Sequence, residues 1–190
     1  MFRELLLRRV SGFCQLTPVQ MDQLAHHYEL MMRWNKVVNL TRIERLDEVV
    51  DRHYAESLFV GANLPIGSLM IADLGSGAGF PGFPIAVLRP ECSVTLIESH
   101  QRKAVFLKEA SRGLLNVAVL CKRAEDVNAR FDWVVSRAVS PGEVFKLARK
   151  LTPNLAVLGD LAGYQPAPRT VIALPWTPHR NLLTFHVKQC

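Results

Sequence analysis

The segment Asp73-Leu-Gly75-Ser76-Gly77-Ala-Gly79-Phe80-Pro-Gly82 carries a carboxylate followed by four closely spaced glycines, the densest concentration of potential chemistry in the chain. Glycine lets backbone approach a ligand and enter turns closed to other residues, and ordering several of them is costly unless something binds. Two cofactors fit. Gly77-Ala-Gly79-Phe80-Pro-Gly82 matches the dinucleotide fingerprint G-x-G-x-x-G, and Glu98 follows about twenty residues on, where a ribose-binding acid belongs. The alternative is S-adenosylmethionine, whose enzymes carry an acid two residues before a G-x-G-x-G loop, the place of Asp73. A carboxylate there attracts the positive ammonium and sulfonium of that cofactor and repels a pyrophosphate, so charge favours S-adenosylmethionine over NAD. A turn needed only for chain reversal is the bland reading.

Further candidates fall where the same site would need them. Glu98 is placed to accept hydrogen bonds from both ribose hydroxyls, and Ala124-Glu125 to meet an adenine edge, with a solvated helix-start acid as the alternative for Glu125. Ser136 and Arg137 end the run Asp132-Trp-Val-Val, at the edge where a transferred methyl group would sit. For Arg137 the alternative is an ordinary surface arginine.

Such residues need a scaffold that gathers strand ends. From Leu69 onward short apolar runs alternate with helical stretches, the pattern of repeated β-α-β units, a parallel sheet and a doubly wound, Rossmann-like α/β fold. Strands are predicted at 69–72, 93–97, 117–121, 131–135 and 155–158, and helices near 84–89, 101–112 and 143–150. Residues 170–174 and 182–187 read as an antiparallel hairpin closing the sheet, and 159–169 is too short and too rich in Gly and Pro for a full crossover helix. Residues 1–62 read as a helical extension of a domain at 63–190, the two forming one structural unit. In it Thr17-Pro18 caps a helix whose Met21, Leu24, Ala25, Tyr28, Met31 and Met32 recur at helical spacing. A second helix begins near Asp47, with Val49, Val50, His53, Tyr54 and Ser57 on one face; there His53 is a core histidine or a ligand contact.

With 23 Lys and Arg against 17 Asp and Glu, the formal charge is +6, which suits a polyanionic partner without identifying one. Arg3, Arg8, Arg9, Arg33, Lys36, Arg42 and Arg45 crowd the first quarter, and Arg102, Lys103, Lys108, Arg112, Lys122 and Arg123 form a second group. Cys14, Cys92, Cys121 and Cys190 are too scattered for a zinc or redox motif, and no His-Glu-x-x-His occurs, so no metal is expected. No apolar run is long enough to span a bilayer, and charges interrupt the leucines of the first nine residues as in no signal peptide, so a cytoplasmic protein is expected.

Trp34-Asn35-Lys36 with Asn39-Leu40-Thr41, then Arg52-His53, the Asp73–Gly82 loop with its Gly-Phe-Pro-Gly ending, Arg102-Lys103, Ser136-Arg137-Ala138 and Arg180-Asn-Leu-Leu together resemble the glucose-inhibited division protein B family. Its members are bacterial methyltransferases acting on N7 of one guanine in 16S rRNA of the small ribosomal subunit. The resemblance, covering about residues 15 to 187, implies that Gly75, Gly77 and Gly79 wrap S-adenosylmethionine, with Ser76 and Phe80 in the same loop. It implies that Glu98 holds the ribose, Ala124 and Glu125 flank adenine, and Arg137 lies beside the methyl-transfer site. Asn39, Thr41, Arg52 and His53 are implied to be the N-terminal contribution to the pocket. The chain departs from the family after the fifth strand, where Leu158-Gly-Asp-Leu-Ala-Gly163 replaces a Leu-Lys-Gly segment and the crossover is short. A non-catalytic module that keeps the fold and cofactor is therefore the alternative to the enzyme. The expected substrate is 16S rRNA within the subunit, and the expected state a monomer.

Overall fold

The computed structural model describes residues 1–137, 140–161, 164–177 and 179–188; Ala138, Ala162, Gly163 and Cys190, all named above, lie outside them. Helix α1 (Phe2–Val10) buries Phe2, Leu6 and Val10, one residue per turn. Helix α2 (Pro18–Val38) starts at a capping box, the Gln20 N–H donating to Thr17 Oγ1 at 3.2 Å and the Thr17 N–H to Gln20 Oε1 at 2.9 Å. It ends at Asn39, whose φ of 52° is the left-handed conformation that closes helices. Helix α3 (Leu46–Val49) runs without a break through a wide π-type turn at Val50–Ala55 into α4 (Glu56–Asn63). Such widened turns are frequent at functional sites, and this one carries Arg52 and His53.

Beyond α4 come β1 (Met70–Leu74), α5 (Gly82–Leu88), β2 (Ser93–Ile97), α6 (Gln101–Ala110), β3 (Val117–Leu120), β4 (Trp133–Arg137), α7 (Pro141–Leu151), β5 (Asn154–Gly159), β6 (Thr170–Ala173) and β7 (Asn181–His186). The sheet order is β3-β2-β1-β4-β5-β7-β6, parallel as far as β5, with β7 antiparallel to both its neighbours. The order reverses at β1, and crevices at such switch points are where open α/β sheets bind ligands. Strand β1 extends past the predicted 69–72: Asp73 pairs with Leu96 and Val135, and Leu74 with Ile97 and Ser136. An aspartate is a poor strand residue, which is why the pattern underestimates the strand. Cys92 and Cys121 flank β2 and β3.

Alternate strand residues point to opposite faces. Ile71, Val94, Leu96, Val135 and Ala156 join α1 to α6 in one buried cluster, while Ala72, Ile97, Val134, Leu155 and Val157 join α7 in another. Among the described residues no helix lies between β5 and β6. There the Tyr164 ring covers the sheet instead, 5.5 Å from the Phe185 ring and 6.5 Å from that of Phe145. No described helix is long and apolar enough to cross a membrane.

Candidate functional site

Between β1 and α5 the glycine loop takes a path open to few other residues: φ is 70° at Gly75, 56° at Gly77 and 94° at Gly79. Strand β2 anchors it, because the Gly75 and Ser76 N–H groups donate to the Ile97 carbonyl (3.0 and 3.1 Å) and the Gly77 N–H to Glu98 Oε2 (2.9 Å). Glu98 Oε1 in turn accepts from the His100 N–H at 2.7 Å. At the far end of the loop the Gly82 N–H donates to Asp73 Oδ2 at 3.0 Å. A Cβ on Gly82 would stand 2.4 Å from Leu96 Cδ2 and 2.8 Å from Asp73, so only glycine lets α5 begin this close to the sheet. Asp73 itself is fully buried, and burial pushes its carboxyl up to about 7 against the lowering pull of the Gly82 N–H. Its Oδ1 has no hydrogen-bond partner.

Next to Gly75, a cleft is lined by Ile97, Ser99, Ala124, exposed Glu125 and Leu147, with Lys122 and Arg123 at its rim. Apolar Ile97, Ala124 and Leu147 suit a flat aromatic ring. Together the accessible backbone at Gly75 and Gly77, Glu98 after β2 and this slot fit S-adenosylmethionine.

A second group builds on Phe80. The His53 ring stacks on it at 4.5 Å and 15°, and the Arg137 guanidinium lies 5.6 Å from its centroid, within range of a cation–π contact. Arg137 also donates to the Arg52 carbonyl in the wide turn. His53 Nε2 lies 2.8 Å from Thr41 Oγ1, and Thr41 is itself held by its N–H donating to Asn35 Oδ1 at 2.8 Å. Burial first, then Arg137, lowers the His53 pKa to about 3, so its ring is neutral. Burial, with Arg180 and Arg52, lowers Arg137 to about 10, which leaves it charged at neutral pH.

Behind this group sits Glu56, fully buried, accepting from Arg180 Nε at 2.9 Å and Nη2 at 2.8 Å, with Arg52 Nε 3.8 Å away. Two arginines thus approach one buried carboxylate.

Of the residues singled out in the sequence, Asp73, Gly75, Ser76, Gly77, Gly79, Phe80 and Glu98 come together in and under the loop. Ala124 and Glu125 share the cleft with Gly75, and Thr41, Arg52, His53 and Arg137 gather around Phe80. Ser136 is buried in β4, its hydroxyl donating to the Leu74 carbonyl at 3.2 Å. Asn39 stands apart, exposed at the end of α2. Sequence reasoning missed His27, Tyr54 and Glu56. His27 and Tyr54 look like ordinary positions on apolar helix faces, and Glu56 pairs with an arginine 124 residues away, which no local pattern reveals. Among the described residues no cluster of three metal-ligating side chains occurs.

Comparison with known proteins agrees with this geometry. The sequence pattern of the family described as rRNA small subunit methyltransferase G matches residues 20–160. Ribosomal RNA small subunit methyltransferase G of Nitrosomonas europaea is 42% identical over 139 residues, 70% of this chain and 64% of that protein. The protein of the same name from Nitrosospira multiformis is 43% identical over 153 residues, 78% of this chain and 68% of that one. The chain therefore spans about two thirds of the length of these relatives. Magnesium protoporphyrin IX methyltransferase of Synechocystis PCC 6803, solved with S-adenosylmethionine, superimposes with a TM-score of 0.61 at 13% identity, covering 88% of this chain and 97% of that one. Fibrillarin of Aeropyrum pernix, with natively bound S-adenosylmethionine, gives 0.54 at 12% identity, covering 70% and 74%. At such identities these two structures speak for the fold alone. The family match and the close relatives decide more: the chain belongs to the rRNA small subunit methyltransferase G family.

Proposed function

We propose that this chain transfers a methyl group from S-adenosylmethionine to N7 of a guanine in 16S rRNA, within the small ribosomal subunit. The observation that carries the reading is the position of Phe80. It lies in the cofactor loop and its ring touches both Arg137 and His53, so one stretch of backbone links the cofactor to the two side chains read as meeting the base. When bound, the cofactor supplies an electrophilic methyl group on a positive sulfur. Guanine N7 has an in-plane lone pair and no proton, so its attack needs no general base. These residues match that requirement, since His53 is a very weak base and Asp73 is sealed beneath the loop. What the chain contributes is positioning, which is worth about 7–11 kcal/mol when two reactants are held as near-attack neighbours. Arg137 orients the base, and Glu98 is read as holding the cofactor ribose while it braces Gly77.

The acting unit is read as a monomer, and an rRNA substrate suits a cytoplasmic protein. The missing lysine and the short crossover that suggested a non-catalytic module leave the loop, Phe80, Arg137 and His53 in place. With 8% aromatic residues and no dedicated RNA-reading module in the sequence, specificity is read as coming from substrate shape. The test is transfer of label from S-adenosylmethionine to small subunits, naked 16S rRNA and a short oligonucleotide of the target sequence, with nucleoside mass spectrometry. Subunits should yield 7-methylguanosine and the oligonucleotide should not. Equal labelling of both would overturn the shape argument, and a methylated base other than N7-guanine would overturn the chemistry.

A further inference from the structure

The glycine loop is also held from the side of the N-terminal helices, by a residue no motif marks. His27 of α2 is fully buried beneath the loop, its Nε2 3.0 Å from the Ala78 carbonyl and its Nδ1 2.7 Å from the Tyr54 hydroxyl. A carbonyl only accepts, so Nε2 carries the proton, and Nδ1 is then a lone pair that accepts from Tyr54. A single neutral tautomer satisfies both contacts. Burial pushes the pKa down to about 3, which keeps the ring neutral through the neutral range. The ring is fixed in orientation by stacking on Phe83 at 4.1 Å and by the edge of Phe80 at 5.4 Å.

The contact falls where the loop is least constrained. Gly77 and Gly79, on either side of Ala78, both have positive φ and no side chain to restrict rotation. The Ala78–Gly79 peptide is held at its two ends only, by the Gly79 N–H donating to the Ser76 carbonyl at 2.7 Å and by His27 at the Ala78 carbonyl. The fit over the ring is tight, for a Cβ on Gly79 would stand 3.3 Å from His27 Nε2.

We propose that His27 is a positioning residue for the cofactor: its Nε2–H fixes the Ala78 carbonyl and so sets the Gly77–Gly79 backbone in the cofactor-binding path. The proposal rests on the methyltransferase reading for its choice of ligand, S-adenosylhomocysteine being the probe. Two variants separate positioning from packing, because each keeps one contact. His27→Gln can place an amide N–H near the Nε2 position and keep the bond to Ala78; His27→Asn reaches toward Tyr54 and leaves Ala78 unpaired. Both lose the ring, so both should lower the melting temperature comparably. By calorimetry the glutamine variant should bind S-adenosylhomocysteine within about threefold of the wild type and the asparagine variant about tenfold more weakly, the equivalent of one net hydrogen bond. Equal affinities for the two variants would overturn the proposal, whatever their melting temperatures. A measurement on the wild type covers the case in which neither variant folds: the His27 Nε2–H resonance should shift when S-adenosylhomocysteine is added. An unmoved resonance on a protein that binds the probe overturns the role of His27. A wild type that does not bind the probe overturns the cofactor reading itself, and this proposal with it.

Discussion

Three buried side chains govern how this fold responds to acid. His27 and His53 titrate near 3 in the folded protein and Asp73 near 7, burial being the first cause each time. Below about pH 6.5 an unfolded chain takes up a proton on each histidine that the folded chain refuses, and below about pH 7 the folded chain takes up one on Asp73 that the unfolded chain accepts only near pH 3.9. The histidines therefore stabilise the fold above the unfolded value and withdraw that contribution as pH falls, while Asp73 acts in the opposite sense. Between about pH 6 and 4.5 the unfolded state holds one more proton in balance, so stability should fall by about 1.4 kcal/mol per pH unit. Urea midpoints across that range measure the slope, and His53→Gln should nearly flatten it. A wild-type midpoint that does not change from pH 6 to 4.5 would contradict the assignment of neutral buried imidazoles.

At the scale of elements, the bidentate pair between Glu56 of α4 and Arg180 just before β7 ties the N-terminal helices to the last strand. Removing one partner leaves a charge stranded in the interior, so Glu56→Leu or Arg180→Met alone should cost about 3–5 kcal/mol, while the double variant should be more stable than either. Thermal melts of the three proteins decide it, and a single variant that melts like the wild type would show that the pair carries no such weight. Neither this pair nor the wide turn at Val50–Ala55 is legible in the sequence, the first because its partners are far apart and the second because apolar spacing does not reveal which carbonyl each N–H chooses. The strands and the parallel sheet were legible, since buried strands read as unbroken apolar runs, although β4 runs over Trp133–Arg137 rather than 131–135. So was the hairpin, although β7 rather than β6 lies against β5. The glycine loop was legible because its left-handed turns demand glycine. What Asp73 does there was not, because a residue type does not say which N–H its carboxylate will accept.

Over the whole molecule, the structure sorts cations that the sequence presents alike. Arg3 pairs with Asp22, Arg9 with Asp51, and Arg45 with Asp47 and Glu48, so part of the N-terminal basic group is already neutralised. On α7 the exposed Lys146, Arg149 and Lys150 take part in no ion pair among the described residues, and Arg130 joins the last two around a cleft. Reversing Lys146, Arg149 and Lys150 to glutamate should weaken binding to small subunits and lower the slope of log affinity against log salt by about 2, if three phosphates are lost from single-stranded RNA. Affinity for S-adenosylhomocysteine should stay as it was. An unchanged slope would place the phosphate contacts elsewhere. The bond between Glu56 and Arg180 spans 124 residues, and that span has a meaning in time as well as in space. A ribosome adding about 5–20 residues per second makes the glutamate roughly 6–25 s before its arginine. During that interval Glu56 lacks the arginine that pairs with it in the folded protein, so the N-terminal helices and β7 are tied together only after Arg180 has been made.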